Sequence, residues 1–273
     1  MLVSTMDSRA LDILAVAAHR DDVEQTCGGT LLKMAGHGRR TGILDLTQGE
    51  MGTRGSAEDR GAEAVEAAKI LRVGWREALD IPDGRVENTW INRLKVARVV
   101  RMTRPRVVIL PYWKGRHPDH YTASKLGYEA CFLAGLAKLD IERALASEPS
   151  AFRQVASAVA SVAAGEEAGH SFAPHRPYKI IYATLYSDIR PSFVVDITGQ
   201  FEARWESLMA YKSQFSDQEA GKDIFPRHRE IRARVEAMAR FYGMLAGVTY
   251  AEPFLEKEVG LVEDVTALPV QSI

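Results

Sequence analysis

Short apolar runs alternate with longer amphipathic stretches along most of the chain. Residues 11–18 (Leu-Asp-Ile-Leu-Ala-Val-Ala-Ala) have the near-continuous apolar character of a parallel strand buried on both faces. Residues 23–35 carry helical spacing, and Gly36-His37-Gly38 supplies a stop where glycine can turn left-handed. A strand at 41–47 and a glycine-rich loop follow. Ser56, with Asp59 three positions on, then opens a helix with a capping-box signal. On that helix Ala62, Val65, Ala68 and Ile70 suit one buried face. A short strand is predicted at 79–84, a helix at 91–102, a strand at 107–112 and a helix at 121–137. Strands at 178–186 and 192–197 and helices at 199–213 and 228–246 complete the series. The alternation predicts an α/β fold: a Rossmann-like, mostly parallel sheet with helices on both faces.

Residues 1–10 read as a disordered lead-in. Residues 138–170 break the pattern, being rich in alanine, serine and glutamate, and are expected to form a variable insertion. Nothing else resembles an interdomain linker, so residues 1–273 are expected to form a single domain. Hydrophobic residues make up 46% of the chain, enough for a sizeable core, and the formal net charge of -1 gives no reason to expect nucleic acid or an anionic membrane as partner. No apolar run is long enough to span a bilayer, and no secretory leader pattern opens the chain, so a cytoplasmic protein is expected. Cys27 and Cys131 stand far apart in apolar helical surroundings and read as buried structural thiols.

Two strands end in clusters of charged and imidazole groups. After the first strand comes His19-Arg20-Asp21-Asp22, and after the strand at 107–112 comes Arg116-His117-Pro118-Asp119-His120. In open α/β sheets, loops at the carboxyl ends of strands build the ligand crevice. Clustered charges with no ligand would be destabilising, so a metal site is the expected reading. A hydrolytic zinc takes three ligands from His and Asp/Glu, leaving a position for water. His19, Asp22 and His120 fit that recipe. Asp21 is placed to act as general base, His117 to protonate the leaving amine or steady an oxyanion, and Asp119 to orient an imidazole. Nitrogen and oxygen donors also suit Fe2+ or Mn2+, so the pattern names Zn2+ without excluding other divalent ions. A pyrophosphate-binding loop is not expected, because these carboxylates would repel the phosphates.

On these motifs the chain resembles the LmbE-like (PIG-L-like) zinc-dependent deacetylases, whose signature is Ala-His-Pro-Asp-Asp-x-Glu with a distant His-Pro-Asp-His. Asp45-Leu46-Thr47-Gln48-Gly49-Glu50, Arg190-Pro191-Ser192-Phe193, Ala210-Tyr211-Lys212-Ser213-Gln214-Phe215 and Tyr250-Ala251-Glu252-Pro253-Phe254 extend the likeness. These segments are most similar to the bacillithiol-pathway enzymes that deacetylate N-acetylglucosaminyl-malate. The resemblance implies His19, Asp22 and His120 as zinc ligands, Asp21 as base and His117 as second catalytic imidazole. It also implies Glu50, Arg60 and Asp83 as sugar-binding residues, and a homo-oligomer, up to a hexamer, acting on a small amino-sugar conjugate. Two departures stand out. Arg20 replaces the proline of the signature, which removes a fixed φ from the turn and suggests a cation reaching the mouth of the site toward an anionic substrate. Ile231 stands where some relatives place an oxyanion-steadying tyrosine.

Overall fold

The structure, a computed structural model, describes residues 10–147, 172–185, 188–216 and 226–269. All the described strands join one seven-stranded sheet in the order β3-β2-β1-β4-β5-β7-β6. The strands are β1 (Ile13–Ala17), β2 (Thr41–Asp45), β3 (Trp75–Ala78), β4 (Val107–Pro111), β5 (Lys179–Ala183), β6 (Phe193–Asp196) and β7 (Ala251–Leu255). Pairings among β1 to β5 are parallel, whereas β7 runs antiparallel to both β5 and β6. The sheet grows outward from β1 through β2 to β3, then returns to place β4 on the other side of β1. That reversal is a topological switch point, so the loops leaving β1 and β4 diverge and leave a crevice between them.

Helices cover both faces: α1 (Asp22–Thr26), α2 (Gly28–Gly36), α3 (Ala57–Ile70), α4 (Trp90–Thr103), α5 (Pro118–Ala134), α6 (Ile141–Ala146), α7 (Phe201–Met209), α8 (Lys212–Phe215) and α9 (His228–Met244). The period-2 alternation of β1 explains the two layers. Leu14, Val16 and Ala18 join the core shared with Leu94, Val99 and Leu126 of α4 and α5. Ala15 and Ala17 face the other way, into a cluster with Val23, Leu31, Ile43 and Ile109. Cys27 and Cys131 are both buried free thiols.

Several boundaries differ from the sequence reading, each for a local reason. The helix expected at 23–35 is two helices, broken where Cys27 leaves helical geometry (φ -144, ψ 16). Gly28 and Gly29 follow the break, and Glu252 explains the second glycine. Its carboxylate accepts from Gly29 N (2.9 Å) and Thr30 N (2.7 Å), capping α2 so closely that a Cβ on Gly29 would sit 3.0 Å from Oε1. The strand expected at 79–84 ends before it, at Ala78. Leu79 and Ile81 are core residues, but they sit in the loop, tied to β2 through Asp45 O and Leu46 O. Because β3 is the sheet edge, Arg76 and Glu77 are tolerated in it, which hides it from a search for apolar runs.

Helix α3 has its capping box, with Ser56 Oγ accepting from Asp59 N and Asp59 accepting from Ser56 N. Its buried face is Arg60, Ala64, Ala67 and Ala68, while Val65 stays exposed, so the face is rotated from the one expected. Strand β7 falls outside the predicted series because Ala-Glu-Pro-Phe-Leu reads as a turn. Its pairing with β5 covers only Phe254 and Leu255, which spares Pro253 the need for a donor on that side. Of the expected lead-in and insertion, residues 1–9 and 148–170 lie outside the described residues; the described start of the insertion contains α6.

Candidate metal centre and active site

His19 follows β1 by two residues, and His117 and His120 follow β4 at the start of α5, so the switch point brings both clusters together. His19 Nδ1 lies 3.2 Å from His120 Nε2 and 3.5 Å from Asp22 Oδ2, and His120 Nε2 lies 3.2 Å from Asp22 Oδ1. Three potential donor side chains thus converge from positions up to 101 residues apart. An ion with tetrahedral bonds of about 2.0–2.1 Å requires ligand separations of roughly 3.3–3.4 Å. The residues present therefore fit a divalent cation in spacing and in donor chemistry.

The other side of His19 fixes its tautomer. Nε2 faces Asp83 Oδ1 at 3.1 Å and Asp119 Oδ2 at 3.4 Å, so the ring proton would stay on Nε2 when Nδ1 gives its lone pair to a cation. Burial opposes a charge on His19, but Asp22, Asp119 and Asp83 outweigh it and push the imidazole up to about 12. Burial likewise works against ionised Asp22, yet His120 and His19 hold it well below the usual carboxylate range.

Asp119 is buried, and its carboxylate also accepts from Gly84 N (2.8 Å) and Val86 N (3.1 Å), pinning the loop after β3 beneath the site. Asp83 is committed in the same way. Oδ2 accepts from Met51 N (3.0 Å), and its own N–H donates to Glu50 Oε1 (2.8 Å). The carboxylate expected at the sugar therefore serves His19 and a latch between two loops. His19 contributes most to lowering Asp83, from 3.8 to about 2. A depressed folded value means the stability Asp83 adds is present above about pH 4 and lost as the pH falls toward 2. Asp83→Asn should flatten the acid limb of a urea-midpoint-versus-pH curve over that window.

The Asp21 carboxylate is held from α3 and α1. Oδ1 accepts from Arg60 Nη2 at 2.9 Å and Oδ2 from Gln25 Nε2 at 3.2 Å. Arg60, expected at the sugar, is buried and clamps the candidate base. Its Nη1 donates to Gly49 O (3.2 Å), and the guanidinium packs so tightly that a side chain at Gly49 (φ +73) would collide with it. Glu50 is exposed beside this loop. His117 caps α5, its Nδ1 accepting from Asp119 N (3.2 Å), with Pro118 at the first helical position. Its ring stacks on His120 (centroids 4.9 Å) and meets His19 edge-on (4.7 Å). Burial, then the two neighbouring imidazoles, lower its pKa. With Nδ1 accepting, the neutral ring carries its proton on Nε2.

Arg20 does not reach over the donors. Its Nη1 donates to Ala57 O at 2.6 Å, against Gly61 of α3. The turn that a proline would have stiffened is held by its own carbonyl instead. Arg20 O accepts from both Arg76 Nη2 and Tyr211 Oη. Arg76 in turn grips Asp45 through Nε (2.9 Å) and Nη2 (3.1 Å), and Glu24 through Nη1 (2.7 Å). Arg20→Ala is therefore expected to cost roughly 1–3 kcal/mol in urea unfolding and to leave KM for an anionic substrate within twofold. Sequence reasoning misses Arg76 and Tyr211; the available signal is an arginine in a strand facing two acids, Glu24 and Asp45. Ile231 is buried in the cluster of α7 and α9, packed among apolar groups.

Known proteins resemble this chain in sequence and in fold. The family described as "PIG-L: GlcNAc-PI de-N-acetylase" matches residues 14–131. A diacetylchitobiose deacetylase of Thermococcus kodakarensis is 28% identical over 251 residues, covering 88% of this chain and 80% of that protein. An uncharacterized deacetylase of Escherichia coli, YaiS, is 31% identical over 139 residues, 48% of this chain and 72% of that protein. This chain belongs to the PIG-L (LmbE-like) deacetylase family. The crystal structure of a conserved protein of Thermus thermophilus shares the fold with a TM-score of 0.73 and 36% identity, covering 93% of this chain and 98% of that one. The match to the family spans both histidine clusters and the loops of Glu50, Arg60 and Asp83, the segments that the switch point gathers.

Proposed function

We propose that the protein hydrolyses the amide of an N-acylated glucosamine conjugate, the N-acetyl compound N-acetylglucosaminyl-malate of bacillithiol biosynthesis being the one to which the family resemblance points. The observation that carries this reading is the convergence of His19, Asp22 and His120 beside a carboxylate, Asp21, that none of them touches. His19, Asp22 and His120 would hold a divalent cation, zinc by family resemblance. Bound there, such an ion would supply Lewis acidity, lowering the pKa of a water and polarising the amide carbonyl.

Asp21 takes the proton of the attacking water, its carboxylate aimed by Arg60 and Gln25. His117 offers Nε2–H as a hydrogen bond to the developing oxyanion, and the proton that Asp21 took from water passes to the departing nitrogen. Asp83 and Asp119 keep His19 turned to the donor cluster. The exposed carboxylate of Glu50 is left to meet sugar hydroxyls. A homo-oligomer is proposed on the exposed aromatic face of Tyr128, Phe132 and Tyr178, and sedimentation of the purified protein tests it.

The functional test measures acetate release from N-acetylglucosaminyl-malate, diacetylchitobiose and a cysteinyl thiol conjugate. Chelation with dipicolinate is expected to lower the rate at least about 100-fold and to lower the melting temperature, since an ion bound at 100 times its Kd adds about 2.7 kcal/mol. One equivalent of Zn2+ or Fe2+ should restore both. If no N-acetylglucosamine conjugate releases acetate with metal-loaded protein, the reading fails.

A further inference from the structure

Two strand residues facing α1 are small. Ala15 of β1 leaves room that leucine would fill, and Ala183 does the same at the end of β5. The space they leave is not closed. A cavity of about 530 Å3 runs between α1 and the ends of β1, β4 and β5. Its walls are Ala15, Val23, Cys27, Ile109, Ala183 and Leu185, and one end is formed by Asp22, His117 and His120. Lys114 and Arg116 stand exposed at its rim. Among the described residues that line it, Asp21, Glu50, Arg60 and Asp83 are absent, so the polar flank of the site and the apolar cavity lie on different sides of the donor cluster.

An amide presents two unlike halves to such a site. The amine half is a sugar, which needs the acceptors and donors of the polar flank. The acyl half of an acetamide ends in one methyl, of about the size of a water, roughly 30 Å3. Nearly the whole cavity would then be left without a ligand atom against an apolar wall. We infer that the cavity is an acyl-chain pocket and that the preferred substrates are N-acyl amino sugars whose straight acyl chain is several carbons long. This rests on the amide-hydrolase reading and deepens it. The chemistry is unchanged: the oxygen of water bonds to the acyl carbon, the C–N bond breaks, nitrogen takes the proton, and a carboxylate leaves with the free amine.

The test is a series of N-acetyl-, N-butyryl-, N-hexanoyl- and N-octanoyl-glucosamine with the metal-loaded protein, paired with melting curves in acetate and octanoate. Each added methylene is expected to raise kcat/KM about threefold to fourfold until the cavity is filled, about 100-fold from acetyl to hexanoyl. Octanoate should raise the melting temperature more than acetate at equal concentration. Leu185→Trp, which narrows the half-buried end, should bring the hexanoyl-to-acetyl ratio down to near one and abolish the octanoate shift. A series in which acetyl is cleaved fastest, with octanoate stabilising no more than acetate, overturns the acyl pocket and leaves the deacetylase reading standing. Cleavage of no member overturns both, and the lack of acetate marks that case.

Discussion

Asp21→Asn should lower kcat for acetate release by about 10²–10⁴-fold, the range for losing a positioned general base, while leaving the bound metal stoichiometry unchanged. The two readouts separate because Asp21 bonds to Arg60 and Gln25 and not to the convergent atoms of His19, Asp22 and His120. His120→Ala should lose metal and turnover together. Arg60→Lys is expected to resemble Asp21→Asn in milder form, because an ammonium cannot serve Asp21 Oδ1 and Gly49 O with the same planar fork. Metal analysis alongside initial rates checks all three. If Asp21→Asn emptied the site of metal, the division between ligand and base would be wrong.

Arg76→Met is expected to destabilise the protein by about 3–5 kcal/mol, the usual consequence of stripping one partner from a buried ionic network. Asp45 and Glu24 would be left buried, and the Arg20 carbonyl would lose one of its two donors. Burial already lifts Glu24 to about 7 with Arg76 in place, and its Oε2 has no hydrogen-bond partner among the described residues. The residue is therefore poorly able to bear the loss. At about 2–4 °C per kcal/mol for a chain near this size, the melting temperature should fall by roughly 10 °C. Glu24→Gln should cost much less, because it removes charge from a cluster that has two carboxylates for one guanidinium. Urea unfolding of both variants decides the matter; a loss under about 1 kcal/mol for Arg76→Met would mean that the turn needs no support from β3.

Where Arg76 lies also explains why part of the site is hidden from inspection of the chain. A strand is found by its apolar residues, and Trp-Arg-Glu-Ala at a sheet edge offers few, so the arginine that carries the His19–Asp22 turn reads as loop. The contacts of Arg20 and Asp83 are hidden for a related reason. Each has the right chemistry for substrate, and nothing in their order along the chain tells that Ala57 O and His19 Nε2 are nearer. The short strand Ala-Glu-Pro-Phe-Leu is unreadable because its pairing depends on which of its edges is left free. By contrast, His19, Asp22 and His120 are legible because their charges have no structural use in isolation.

The order of residues alone determined the alternation of strand and helix, hence a mostly parallel sheet, and it put the histidines and aspartates at strand ends, because hydrophobic periodicity and the polarity of loops are local properties. Only the tertiary structure decided which groups face one another. The reversal of strand order at β1 set the two clusters side by side, the packing of α3 turned Arg60 onto Asp21, and two alanines in strands, Ala15 and Ala183, border an apolar cavity beside the donors. Distances between side chains far apart in the chain depend on how the sheet is crossed, and no spacing along the chain encodes that directly.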